Sequence, residues 1–336
     1  PLRIKAGFVP TVPDLHLGHT VLMQKLRQFQ DLGHHAIFLI GDFTAQIGDP
    51  TGRSEARPVL TKKEVHAHAK TYLNQAFKIL DKKKTEVRWN SEWLEKFTPM
   101  DFMNLGSKQT VARMMERQDF KDRLATGANL SIYEFYYPLL QAHDSVVLQA
   151  DIELGGMDQK FNILLGRQVQ ERSNQEPQVA LLMPLLIGND GQKKMSKSYG
   201  NYIGVTESQK DMFGKIMSLS DEMMWHYYER LTDAGIAALK KGHPKEAKVD
   251  LAKILVERFH SKKEAESAAG EFEKIFSNKE KPPEIEEKVL PKDGAEISLA
   301  EVLTLSGLAP SKSEARRLIQ QGGVSVNDQK MSDSHA

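Results

Sequence analysis

The sequence contains no cysteine. That absence excludes a disulfide scaffold, a thiolate zinc site, an iron–sulfur cluster and a cysteine nucleophile. Long apolar runs are missing too. The stretch 180–187 is broken by Pro184 and falls far short of a membrane span, so no membrane partner is expected. The first ten residues carry two basic side chains but no apolar core of signal-peptide length. The first residue is not Met, and a true start upstream is expected. Charge of one sign is also absent overall: 46 Lys and Arg face 45 Asp and Glu, so net charge gives no sign of nucleic acid. What is present is an ordinary globular balance. Of 336 residues, 40% are hydrophobic and 27% charged, enough for two or three domains with sizeable cores.

Local charge is less even. Residues 53–123 hold 16 basic and 10 acidic side chains, whereas 206–290 hold 15 and 17. The basic excess therefore lies in the first half, where a solvated helical face is the plain alternative to a nucleic-acid surface.

Residues 2–8 alternate and predict a strand. Pro10, Pro13 and Asp14 mark a turn, and helical periodicity runs over 18–32 until Gly33. The apolar run 36–40 predicts a buried parallel strand. This strand–loop–helix–strand order opens a doubly wound α/β sheet. Segments 61–82 and 92–124 predict helices, 146–150 and 179–186 further strands, and 207–276 helix almost throughout. A charged, proline-bearing stretch at 279–287 predicts a linker. The tail 297–331 predicts a helix, a second helix capped by Ser311, then Gly322-Gly323 and a strand at 324–326.

Two motifs carry chemistry. His16-Leu17-Gly18-His19 falls where a strand hands over to a helix. Free backbone N–H groups and the positive helix end favour phosphate there. Gly18 leaves room for a nucleotide, and two imidazoles three residues apart can donate to its oxygens. A zinc pair is the rival, but it lacks an evident third ligand. Lys193-Lys194-Met195-Ser196-Lys197-Ser198 lies between Gly191 and Gly200. Lysines three apart on a glycine-flanked loop suit a developing pyrophosphate, although an ordinary exposed loop has the same composition.

Together and in this order the motifs resemble the signature pair of class I aminoacyl-tRNA synthetases. Between them stand Tyr137-x-x-x-Gln141-x-x-Asp144 and Gly155-Gly156-Met157-Asp158-Gln159. These, with Ile47-Gly48-Asp49-Pro50, resemble the tyrosyl-tRNA synthetase family. The tail, with Leu308–Arg317 and 322–327, is similar to an S4-type RNA-binding module, expected to be incomplete at residue 336.

The resemblance implies a Rossmann-type parallel-sheet catalytic domain over 1–205 with a mainly helical insertion at about 84–130. An all-α anticodon-side domain over 206–278, a linker at 279–290 and a small α+β S4-like domain over 291–336 follow. It implies activation of L-tyrosine with ATP and transfer of tyrosyl to tRNA(Tyr) by a cytoplasmic homodimer. Mg²⁺ would arrive with ATP, with no metal held by the protein itself and no tightly bound cofactor. The same resemblance implies that Asp144 reads the phenol while Asp49, Tyr137, Gln141 and Gln159 surround the ammonium end. Gly7, Gly18, His19, Gly156, Asp158, Leu185, Leu186, Met195 and Lys197 would line the ATP site. Thr11 and His16 would hold the γ-phosphate, with His19, Lys194 and Lys197 completing the catalytic set. Arg316 and Arg317 would meet RNA. On residues alone, Tyr137, Gln141 and Asp144 also fit one plain helical face.

Three positions depart from the family pattern. Val9 stands where Asp is usual; Lys5 replaces a phenol-touching tyrosine of one branch and matches another branch; His143 replaces a common tyrosine. A histidine beside Asp144 is expected either to pack neutrally or to titrate near physiological pH. Trp89, Trp93 and Trp225 are expected to be packing residues. The rivals are a synthetase for another aromatic amino acid and a non-catalytic RNA-binding relative, the latter favoured by Val9 alone.

Overall fold

Among the described residues, five strands form a parallel sheet: β1 (Arg3–Phe8), β2 (His35–Ile40), β3 (Thr85–Trp89), β4 (Ile152–Gly156) and β5 (Val179–Met183). Their order is β3-β2-β1-β4-β5. The computed structural model describes residues 1–48, 60–276, 297–327 and 329–331. The chain divides into two compact units, Pro1–Asn278 and Lys279–Ala336.

Helices fill the crossovers, as parallel strands require. α1 (Leu17–Asp31) joins β1 to β2; α2 (Asp42–Ala45) and α3 (Lys62–Ala76) precede β3. Between β3 and β4 lie α4 (Ser91–Leu94), α5 (Pro99–Gly106), α6 (Val111–Met114), α7 (Gln118–Ala125) and α8 (Ile132–Leu148). α9 (Lys160–Glu171) joins β4 to β5. The helices α10 (Gln209–Met217), α11 (Asp221–Leu231), α12 (Ile236–Leu239), α13 (Pro244–Phe259) and α14 (Lys262–Phe276) complete the first unit.

β2 shows why both sheet faces are covered. Ala36, Phe38 and Ile40 enter one apolar cluster with Leu17, Met23 and Leu26 of α1. Ile37 and Leu39 enter another with Leu139, Leu140, Leu165 and Val169 of α8 and α9. Alternate side chains on a strand point to opposite faces, so a continuous apolar run needs a layer on each side. Phe8 stacks on Phe38 with ring centroids 4.3 Å apart, tying β1 to β2.

One strand expectation fails here, and one strand is missed. Residues 146–148 are the last turn of α8, which closes through Gln149 in the left-handed region at φ 46°. The strand begins later, at Ile152. A short apolar run does not distinguish helix from strand, and Val146 to Leu148 continue the apolar face of α8. Strand β3 was not anticipated: its Glu86 and Arg88 interrupt any apolar pattern, because it is an edge strand. β5 ends at Met183, just ahead of Pro184.

The second unit has α15 (Leu299–Leu305), α16 (Lys312–Gln320) and the antiparallel pair β6 (Val324–Val326) and β7 (Gln329–Met331). Ala300, Leu303, Ala309, Ala315 and Ile319 form its core. Ser311 caps α16 by accepting from the Glu314 N–H, as expected of a serine at that position. The expected linker at 279–290 lies outside the described residues.

Candidate active site

The chain builds β1, β2 and β3 outward on one side, then returns to place β4 and β5 on the other. The connections that leave adjacent strands β1 and β4 thus run to opposite sides at the carboxyl ends, the position at which open α/β sheets bind ligands. The segment after β1 leads to His16; the segment after β4 carries Gly156, Asp158 and Gln159.

His16 immediately precedes α1, and its ring centroid lies 3.9 Å from that of His19. Nδ1 of His19 accepts from the His16 backbone N–H at 3.2 Å, which leaves Nε2 as its protonated nitrogen. Burial, the His19 ring and Lys197 push His16 far below the ordinary imidazole range. Burial, with Lys197, lowers His19 to about 4. Both rings are therefore neutral at physiological pH, and each can donate one hydrogen bond. Nδ1 of His16 is buried without a partner among the described residues. Gly18 makes room for that ring, since a Cβ there would sit 3.0 Å from it.

The lysine loop reaches both ends of this face. Lys194 Nζ lies 2.7 Å from Asp158 Oδ2. Met195 is buried, its N–H donates to the Leu186 carbonyl at 2.8 Å, and a Cβ on Gly18 would lie 3.7 Å from its own. Lys197 sits 5.9 Å from the Tyr202 ring centroid, and burial lowers its ammonium pKa against the opposing pull of Asp14. Beyond the loop, the Ile203 carbonyl accepts from the Leu17 N–H at 3.0 Å and Val205 N–H donates to Leu15 at 3.1 Å. These bonds fasten the loop's exit to the entry of α1. Gly156 is closely approached: a Cβ would stand 2.6 Å from Asp158 Oδ1 and 2.9 Å from Leu185 Cδ2, so both side chains would have to shift. Gly7 is not crowded, its nearest neighbour being Leu39 at 3.9 Å. Thr11 lies half-buried on the turn after Val9, to whose carbonyl its N–H donates at 2.8 Å.

The phenol-side residues share α8. Tyr137 and Asp144 are buried and Gln141 is half-buried. Asp144 accepts from Trp93 Nε1 at 2.9 Å and Asn90 Nδ2 at 3.3 Å. Burial raises its carboxyl to about 7, against the lowering effects of Lys5, Trp93 and Asn90. Gln159 Oε1 accepts from Asn162 at 2.9 Å. Asp49 lies outside the described residues.

The other expected residues divide. Trp93 packs, as expected, but also donates to Asp144; Trp89 stacks on His66 and Trp225 on Tyr228. His143 is half-buried against the Phe97 ring at 4.9 Å. Burial and Lys108, opposed by Asp101, lower it to about 4, so the expectation of titration near physiological pH fails. Arg316 and Arg317 are exposed on α16 of the second unit. No group of three His, Asp or Glu among the described residues could hold a metal ion.

Four residues escaped sequence reasoning. Asn90 and Trp93 meet Asp144 only through the fold. Asn201 is buried: its Oδ1 accepts from Ser196 N–H at 2.8 Å, and its Nδ2 donates to Asp190 at 2.9 Å and to the Lys194 carbonyl at 3.2 Å. Glu153 pairs with Lys5 at 3.0 Å, both wholly buried. A charge within each of two apolar strands was the available signal, and the two residues face each other in register.

The model of the class I tRNA synthetases (W and Y) matches residues 1–277, and that of the S4 domain matches 298–335. The tyrosine–tRNA ligase of Colwellia psychrerythraea is 52% identical over 99% of this chain and 86% of its own. That of Francisella tularensis is 54% identical over the same shares. A C-terminally truncated mitochondrial tyrosyl-tRNA synthetase of Aspergillus nidulans shares the fold, with a TM-score of 0.70 at 23% identity. That match covers 82% of this chain and 86% of the other.

Proposed function

Because the chain belongs to the W and Y family of class I tRNA synthetases, we propose that it is the ligase joining L-tyrosine to tRNA(Tyr). The tyrosine carboxylate attacks the α-phosphate of ATP and pyrophosphate leaves. The tyrosyl-adenylate then gives its acyl group to the 3′-terminal adenosine of the tRNA. No general base is needed for the first step, because the nucleophile is already a carboxylate. Catalysis is positioning and charge stabilisation.

Neutral His16 and His19 donate to phosphate oxygens at the start of α1, with Thr11 beside them. Lys194 and Lys197 neutralise the departing pyrophosphate. Asp158 accepts from the ribose once Lys194 releases it. Leu185, Leu186 and Met195 enclose the adenine, and Gly7, Gly18 and Gly156 let the nucleotide approach the backbone. Mg²⁺ accompanies ATP as part of the substrate. Asp144 reads the phenol hydroxyl; Asp49, Tyr137, Gln141 and Gln159 hold the amino-acid end. A pocket that bonds the hydroxyl leaves its own polar groups unpaired when phenylalanine enters, and tyrosyl enzymes are the standing example of such rejection without editing.

The observation that carries this function is the meeting of the two motifs through Met195 against Gly18, with Lys194 reaching Asp158 of the segment after β4. Arg316 and Arg317 supply RNA backbone contacts from the S4 module. The chain works as a cytoplasmic homodimer, and the exposed apolar side chains Met100, Met103, Val111, Leu124 and Ile132, all between β3 and β4, support a partner for that segment. No helix among the described residues is long and apolar enough to cross a membrane.

The test is ATP–pyrophosphate exchange without tRNA. Exchange with tyrosine, and none with phenylalanine or tryptophan, is the expected result. Exchange with tryptophan alone would move the chain to the sister enzymes. No exchange from folded protein that binds tRNA would leave the RNA-binding relative that Val9 favours.

A further inference from the structure

Lys5 and Glu153 form a buried ion pair that the reaction does not use. Lys5 has three N–H donors and three acceptors: Glu153 Oε1 at 3.0 Å, Ser145 Oγ at 2.7 Å and the Gln141 carbonyl at 3.3 Å. Its donors are spent, so it has none for a substrate phenol. Lys5 therefore does not take over the role of the tyrosine it replaces.

Glu153 is equally saturated. Lys5 and Gln141 Nε2 donate to Oε1, at 3.0 and 3.4 Å. Ser145 Oγ and Gln178 Nε2 donate to Oε2, at 3.0 and 2.5 Å. A carboxylate offers about four acceptor sites and no donor. The Gln141 amide must then turn its NH₂ toward Glu153, because its carbonyl oxygen there would meet only another acceptor. The amide oxygen is left on the opposite side. Gly166 of α9 keeps the cluster closed, since a Cβ there would stand 2.7 Å from Gln178 Nε2.

We propose that Glu153, neutralised by Lys5, is the positioning residue that fixes the Gln141 amide with its oxygen toward the α-ammonium of the amino-acid substrate. The proposal rests on the assignment of Gln141 to the ammonium end. An ammonium needs an acceptor. A glutamine free to flip presents a donor half the time, and each flip costs a charge-assisted hydrogen bond. The pair thus acts on amino-group recognition without touching the substrate.

The experiment compares two ligands by calorimetry on the full chain. Tyrosinol carries the phenol and the ammonium; 3-(4-hydroxyphenyl)propionate carries the phenol and no amino group. The variant Glu153→Gln offers Gln141 both a donor and an acceptor. It is expected to weaken tyrosinol about tenfold and the propionate less than about twofold. Because Glu153→Gln strands the Lys5 charge, the double variant Lys5→Met/Glu153→Gln, which removes both charges, is measured beside it. The same ammonium-selective loss is expected. Equal losses for both ligands would reveal a merely structural role and overturn the proposal, as would no loss for either. If the parent protein itself binds tyrosinol no better than the propionate, the ammonium site is wrongly assigned and the proposal falls with it.

Discussion

Lys194 of the lysine loop holds Asp158, a residue of the strand-end face, at 2.7 Å. The carboxylate suited to a ribose is thus occupied by the lysine suited to a phosphate. On the proposed assignment of these residues, ATP exchanges one partner for another: the ribose takes Asp158 and the phosphates take Lys194. The lysine's free energy is then released toward the charge that develops on pyrophosphate rather than spent on ground-state binding.

Lys194→Ala should therefore lower kcat for tyrosine-dependent exchange by about 100-fold. The KM for ATP should move by less than about threefold, because losing the phosphate contact is offset by freeing Asp158. Steady-state exchange kinetics against ATP check this. A rise in KM with unchanged kcat would show that Lys194 contributes uniform binding instead.

Asp144 carries a pH signature in stability. Its folded carboxyl titrates at about 7, above the roughly 3.9 of an unfolded aspartate. Between those values the folded state holds more protons than the unfolded state, so Asp144 makes stability fall as pH rises through that window. Asp144→Asn removes the effect. The Tm difference, variant minus parent, should be larger at about pH 8 than at about pH 5. Thermal melts at the two pH values decide it, and equal differences would mean the burial of Asp144 is relieved by water.

Val9 lies half-buried on the turn after β1, and a Cβ on Gly41 would stand 3.2 Å from its Cγ2. Valine offers no acceptor at a position where the sequence resemblance leads to the expectation of a carboxylate. Val9→Asp should raise kcat/KM in exchange by about tenfold, the scale of one hydrogen bond to a charged group. An unchanged rate would show that the site tolerates valine.

Asn201 bonds both limbs of the lysine loop from a buried position. Asn201→Asp keeps the shape but turns a donor into an acceptor facing Asp190 and the Lys194 carbonyl. It should lower kcat for activation by about 100-fold while leaving the KM for tyrosine within about twofold. Exchange kinetics with limited proteolysis of the loop provide the check. A matched loss in tyrosine affinity would place the effect in the fold as a whole.

Much of this molecule is legible along the chain. The strand at 36–40, the helix from 17 and the Ser311 cap follow from local pattern, because each is set by near neighbours. The two motifs announce themselves through unusual residue combinations. The boundary near 146–152 misled, since an apolar helix end and a glycine-ended strand carry opposite local signals to what the fold assigns. β3 was hidden because an edge strand covered on few sides needs no apolar run.

The sequence by itself determined the fold family, the two motifs and the three α8 residues at spacings of one helical face. Tertiary structure alone decided their condition. Trp93 and Asn90 reach Asp144 across some fifty positions, Lys5 meets Glu153 from the neighbouring strand, and Lys194 finds Asp158. The reason is physical: residue type and spacing fix local geometry, whereas charge state and hydrogen-bond orientation depend on burial and on partners that only the closed fold brings within reach.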